Sequence, residues 1–231
     1  MYSFEIERDE LGRKLGGGIA EGSITLIEGG DGAGKTVLAQ RITYGLLVNG
    51  YSVTYVSTEL SLPEFTKQMM SLRYNVTPYI LRGQFRFFSV FPSTVYRLRK
   101  KKDLLQRLSR ADVLYLTDVT IIDTITMLVP EGGADERAVF EFIGRLKKEV
   151  LRGKSIIITA DPEATDERLL EPLREIADNY LVMKLETTAE DIKNVIYVQR
   201  WKRTEREVSK IIKFRVEPKF GIVIDISSLA V

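Results

Sequence analysis

The sequence predicts an α/β protein, with a central, mostly parallel sheet flanked by helices and C-terminal antiparallel strands. A glycine loop, Gly29-Gly30-Asp31-Gly32-Ala33-Gly34-Lys35-Thr36, joins an apolar, β-branched run to a stretch with helical periodicity. Strand-like and helix-like stretches then alternate as far as residue 176, and from residue 180 the pattern is β only. Alternation implies crossover helices between parallel strands, whereas a terminal meander adds antiparallel ones.

Taken in order, residues 8–15 read as a short helix ended by Gly16-Gly17-Gly18, and Glu21-Gly22 turns into the strand 24–27. Residues 37–47 form the helix after the glycine loop, and Asn49-Gly50 ends it in a turn. The second strand is 52–57, after which Ser61-Leu62-Pro63-Glu64 opens a helix with a cap, a first-turn proline and a dipole-complementing acid. Strands at 85–90, 119–123 and 155–159 follow, with helices at 93–110, 136–151 and 167–176 between and after them. The meander comprises 180–186, 194–201, 208–216 and 222–226. Residues 1–231 show no repeat, linker or boundary, so they read as one domain.

Composition narrows the chemistry. With 231 residues, 44% hydrophobic and 29% charged, the chain has the make-up of a soluble globular protein. A net charge of +2 is too balanced to imply a polyanionic partner. No cysteine excludes disulfides, zinc-thiolate sites and a cysteine nucleophile, and no histidine removes the commonest general base. Proton transfer is left to carboxylates, lysine or water. No apolar run approaches the roughly 18 residues of a membrane span, and Met1-Tyr2-Ser3-Phe4-Glu5 lacks a signal-peptide pattern, so a cytoplasmic location is expected.

The glycine loop fits G-x-x-x-x-G-K-[ST], the phosphate-binding P-loop. Between a strand and a helix, its glycines turn backbone N–H groups onto phosphate oxygens, and the helix N-terminus adds its dipole. The expected nucleotide-binding set is Gly29, Gly30, Asp31, Gly32, Ala33, Gly34, Lys35, Thr36 and Val37. Lys35 is placed to reach the β- and γ-phosphates, and the Thr36 hydroxyl to ligate Mg²⁺. A P-loop needs a carboxylate beside the magnesium, usually from an apolar strand ending in aspartate. Asp118 and Asp123 both follow apolar runs; Asp123 is preferred because Ile121-Ile122 leads directly into it and Thr124 extends the polar end. Placed beside the P-loop strand, the second strand opens its carboxyl end onto the nucleotide, where Glu59 can orient or deprotonate water.

Leu15-Gly16-Gly17-Gly18-Ile19, the P-loop, Glu59, residues 118–126 and the C-terminal strands together resemble the RecA/KaiC superfamily over essentially the whole chain. Length and wording resemble the KaiC-like accessory ATPases of the archaellum motor. The resemblance implies a RecA-like P-loop NTPase fold, ATP with Mg²⁺, and a homo-oligomer, a hexameric ring, whose sites are completed by a neighbouring subunit. It further implies docking to the archaellum motor ATPase and membrane platform proteins, and so a peripheral place at the inner face of the membrane. It makes Thr159, closing the fifth strand with Asp161, a sensor of the γ-phosphate. The family's trans-acting basic segment aligns with Gln199-Arg200-Trp201-Lys202-Arg203-Thr204, which lacks the usual glycine; Lys202 and Arg203 are the cations taken to reach a neighbour's γ-phosphate. KaiC-type domains usually carry two adjacent glutamates after the second strand, whereas here Leu60 follows Glu59, which implies slow hydrolysis or binding with little turnover.

Two other functions fit the fold. Ser57 and Thr58 beside the site make a self-phosphorylating signalling ATPase chemically feasible. A DNA-dependent recombinase fits less well, because the loops 129–136 and 160–167 are acidic, the wrong sign for phosphate backbones. The basic clusters lie elsewhere, at 97–102 and across 193–219.

Overall fold

The computed structural model describes residues 1–90, 104–129, 133, 135–187, 192–204 and 206–225. A short N-terminal strand, β1 (Tyr2–Ser3), pairs antiparallel with β2 (Gly18–Ile19), with the short helix α1 (Leu11–Lys14) between them. Then come β3 (Ile24–Gly29), α2 (Lys35–Val48), β4 (Val53–Ser57), α3 (Leu62–Ser71), α4 (Thr77–Leu81) and β5 (Phe85–Ser89). The second half supplies α5 (Leu104–Arg110), β6 (Val119–Asp123), α6 (Glu136–Leu151), β7 (Ser155–Ala160) and α7 (Glu167–Ile176). It closes with β8 (Asn179–Thr187), β9 (Ile192–Trp201), β10 (Ile211–Glu217) and β11 (Gly221–Ile224). The main sheet runs β11-β10-β9-β8-β3-β7-β6-β4-β5, parallel from β8 to β5 and antiparallel from β8 to β11.

The parallel strands read as continuous apolar runs because helices cover both of their faces. Successive residues point to opposite sides: Ile27, Ile121 and Ile157 join the core under α2 and α3, whereas Leu26, Ile122, Ile156 and Ile158 join the core under α5, α6 and α7. Helix α2 is buried almost all round, carrying Arg41 inward with Leu38, Ile42 and Leu46. The N-terminal segment crosses it at Gly45, where a Cβ would stand 2.2 Å from the Phe4 carbonyl. At the start of α3 the Glu64 carboxylate accepts from Ser61 N at 2.9 Å and Ser61 Oγ at 2.6 Å, as expected of that opening.

Several elements differ from what the sequence predicts. β4 does not lie beside β3; β7 and β6 separate them. Periodicity reveals strands but not their lateral order, which crossover packing sets. Helix α1 is shorter than 8–15, because Ile6 and Asp9 form an isolated bridge and Asp9 accepts from Leu11 N before the helix starts. Strand β10 begins at Ile211 rather than 208, since Val208 bridges to Leu15 instead. Helix α4 and the β1–β2 pair were not foreseen, being too short for a periodic signal. Of the helix expected at 93–110 only α5 falls among the described residues, and the basic cluster 97–102, part of the loop 129–136 and Ile226 lie outside them.

Candidate nucleotide and metal site

The site forms where β3, β6 and β7 end together. β3 stops at Gly29, the loop turns through Gly32 and Gly34, and α2 begins at Lys35. Gly34 caps α2 in the left-handed region (φ +90), and a Cβ there would meet Asn194 and Phe214 at 3.3 Å. Lys35 Nζ donates to the Gly29 and Gly30 carbonyls at 2.7 and 2.8 Å, so the ammonium sits over the loop's concave side. Asp31 is exposed, Ala33 is buried, and Val37 packs against the core behind the loop.

Asp123, 1% exposed, ends β6 and is the hub of the site. Its Oδ1 accepts from Thr159 Oγ1 at 2.7 Å and Thr36 Oγ1 at 3.2 Å, and its Oδ2 accepts from the Tyr55 hydroxyl at 2.7 Å. Burial pushes its carboxyl above the usual range, against the pull of those three donors. Asp118 lies at the other end of β6, bound to Ser52 N and Oγ at 2.8 and 2.7 Å, far from the loop. Thr159 therefore meets the same carboxylate as Thr36, and Asp161 N donates to Thr126 Oγ1 at 2.9 Å just beyond.

A carboxyl whose folded pKa is raised stabilises the fold at low pH and loses that contribution as pH rises through the raised value. At neutral pH the buried Asp123 charge is thus a local cost. Asp123→Asn keeps acceptors for Thr36 and Thr159 and turns an amide toward Tyr55, whose hydroxyl can then accept. In metal-free buffer at pH 7 its melting temperature is expected to equal or exceed that of the wild type, as calorimetry would show.

Glu59 is exposed beyond β4, yet it remains within electrostatic reach of Lys35, Asp123 and Asp31. Partial desolvation pushes its carboxyl up, and the neighbouring Asp123 adds to the shift. Strand adjacency was the wrong route to this placement; the carboxyl ends of β4 and β6 adjoin, pairing Ser57 with Asp123. The Ser57 hydroxyl accepts from Leu60 N at 3.0 Å, and Thr58 Oγ1 donates to the Thr124 carbonyl at 3.1 Å, both from buried positions.

Lys202 and Arg203 fall at the opposite end of the sheet. Trp201 pairs with Asn179, which pairs with Thr25 at the start of β3. Arg203 donates to the Gly22 carbonyl at 2.6 Å and Asp178 at 3.2 Å, and Lys202 lies 3.9 Å from Asp178. Their own P-loop is the length of β3 away, about 16 Å. A role at a nucleotide is thus open to them only in another subunit.

Two supports carry no signal in the sequence. Glu28, just before the loop and 3% exposed, is held by Arg174 at 2.7 and 2.9 Å and by the Tyr180 hydroxyl at 3.1 Å, which ties α7 to the P-loop strand. Tyr55 reads simply as a strand residue, although its position two before Ser57 puts it on the Asp123 side. Among the described residues no group of three or more acidic, cysteine or histidine side chains converges as a metal cage. One hydroxyl and one carboxylate suit a Mg²⁺ whose remaining ligands are phosphate and water.

A strand, a glycine loop and a helix, with a threonine of that helix donating to the aspartate that ends β6, form the strand–loop–helix arrangement of the P-loop class. Comparison with known families matches residues 7–228 to the one described as "ATPase: KaiC". The archaeal flagellar ATP-binding protein FlaH of Methanocaldococcus jannaschii is 37% identical over 230 residues, which cover 100% of this chain and 98% of that protein. The crystal structure of the flagellar accessory protein FlaH from the same organism superposes with a TM-score of 0.88 at 34% identity, covering 98% and 99% of the two chains. A KaiC-like protein from Pyrococcus horikoshii, 20% identical, shares the fold at a TM-score of 0.73 over 94% and 95% of the chains. The chain belongs to the KaiC-type ATPase family, with a RecA-like α/β fold.

Proposed function

We propose that this chain is an ATP-binding accessory protein of the archaellum motor, whose nucleotide state sets its oligomerisation and its docking to the motor ATPase. The observation that carries the nucleotide part is the shared carboxylate: Thr36 and Thr159 both donate to Asp123 Oδ1 beside the P-loop. The archaellum part rests on the printed names of relatives that match along the whole chain. A hexameric ring, contact with membrane platform proteins and a peripheral place at the membrane's inner face belong to the same proposal. Among the described residues no helix is long and apolar enough to cross a membrane.

Bound Mg²⁺ would supply charge neutralisation between the β- and γ-phosphates. In this reading the loop N–H groups from Gly30 to Thr36 hold the phosphates. Lys35 would exchange its two carbonyl acceptors for phosphate oxygens, and the Thr36 hydroxyl and the Asp123 carboxylate would together hold the metal. Thr159 senses the γ-phosphate through Asp123, and Glu59 orients the attacking water. Lys202 and Arg203 act at a neighbour's site.

ATP affinity and phosphate release, measured on one sample with Mg²⁺, test the core of this. ATP binding with slow release is expected, because a single exposed glutamate faces water. Glu59→Gln should lower release at least about 100-fold while leaving ATP affinity within about twofold, as loss of a general base predicts. ATP-dependent growth in mass by light scattering, followed by capture of the purified motor ATPase, tests the assembly part. An unchanged mass with ATP bound would overturn it.

A further inference from the structure

The two oxygens of Asp123 have different surroundings. Oδ1 faces the P-loop and takes the Thr36 and Thr159 hydroxyls, whereas Oδ2 points into the core and takes the Tyr55 hydroxyl at 2.7 Å. The Tyr55 ring is fully buried, 4.7 Å from the Phe65 ring and stacked 6.0 Å from Phe87. The phenol cannot swing away without opening that aromatic cluster, which joins α3 to β5. Asp123 is therefore fixed in rotation, with Oδ1 and its two threonine hydroxyls on the P-loop side and Oδ2 held in the core.

We propose that Tyr55 makes this site select Mg²⁺ over Ca²⁺, by occupying Asp123 Oδ2 so that the carboxylate offers a single oxygen. Ca²⁺ gains from six to eight oxygens and from bidentate carboxylates, whereas Mg²⁺ needs six tightly placed ligands and takes a carboxylate through one oxygen or through water. A second donor on Oδ2 removes the bidentate mode and leaves the Mg²⁺ mode intact. Tyr55 touches neither nucleotide nor metal in this role; it is a positioning residue. The inference rests on the reading of Asp123 as the carboxylate beside the metal.

The test titrates MgCl2 and CaCl2 separately into the full chain with a fixed, sub-saturating concentration of fluorescent mant-ATP. The half-effect concentration of each cation is read from the fluorescence. Wild type is expected to need at least about tenfold more Ca²⁺ than Mg²⁺, the discrimination that denial of the bidentate mode supports. Tyr55→Phe keeps the ring and frees Oδ2, so the Ca²⁺:Mg²⁺ ratio should fall by about tenfold. Asp123→Asn should make mant-ATP binding insensitive to either cation. Equal responses to both cations in the wild type would overturn the proposal, and so would an unchanged ratio in Tyr55→Phe. A metal response that survives Asp123→Asn would instead overturn the assignment of Asp123 itself.

Discussion

Lys35→Ala is expected to weaken ATP binding by about 100-fold, a loss of roughly 3 kcal/mol. The estimate follows from what the ammonium does. Its Nζ lies 2.7 and 2.8 Å from two loop carbonyls, inside the concave turn that would receive the phosphates. Transferred to phosphate oxygens, those bonds become charge-assisted at both ends, the strong class of hydrogen bond. Alanine removes the charge and leaves backbone N–H donors and the helix dipole to hold the anion alone. The fold should change little, since Lys35 bonds only loop carbonyls and makes no ion pair among the described residues. Equilibrium titration with mant-ATP, paired with a thermal melt, separates the two effects. Undiminished affinity in Lys35→Ala would remove the foundation of the nucleotide reading.

The largest effect on stability is expected from Arg41→Ala, about 4 kcal/mol and a fall in melting temperature of about 8–15 °C. Arg41 is 0% exposed and forms a bidentate pair with Asp9, 5% exposed, at 2.6 and 2.7 Å. Its third nitrogen donates to the Phe4 carbonyl at 2.9 Å. Truncation leaves a buried carboxylate without its countercharge, a buried carbonyl without a donor, and a cavity inside α2. These losses fall at the junction that fastens residues 4–9 across α2, the helix that carries the P-loop lysine. Circular dichroism melts give the first number. Asp9→Leu combined with Arg41→Met should recover most of the loss, because replacing both charges by apolar groups removes the desolvation cost along with the attraction. If the double variant melts no higher than the single one, the pair is not the source of the effect.

Legibility followed the range of the interactions involved. The strand–glycine-loop–helix unit, the capped start of α3 and the aspartate ending β6 are local patterns, and the structure places each element where the sequence puts it. The choice of Asp123 over Asp118 was also local, since it turned on which aspartate ended the strand and which preceded it. Tyr55 was not legible, because its partner is 68 residues away and a buried aromatic is what a strand core contains anyway. Glu28 and Arg174, 146 residues apart, were invisible for the same reason. Arg41 lay in a helix expected to bury an apolar stripe, and nothing in the spacing signalled that its charged face is buried too.

What the sequence determined by itself is the kind of protein. A strand–glycine-loop–helix unit can close in few ways, and alternating β and α with a β tail leaves little choice but a mostly parallel sheet with antiparallel extensions. What only the tertiary structure decided is who meets whom. It set β7 and β6 between β3 and β4, gathered Thr36, Tyr55 and Thr159 on one carboxylate, and carried Lys202 and Arg203 to the far end of the sheet. The reason is physical: propensity, capping and periodicity act between neighbours along the chain, whereas lateral strand order and buried ion pairs are settled by packing both faces of one sheet at once.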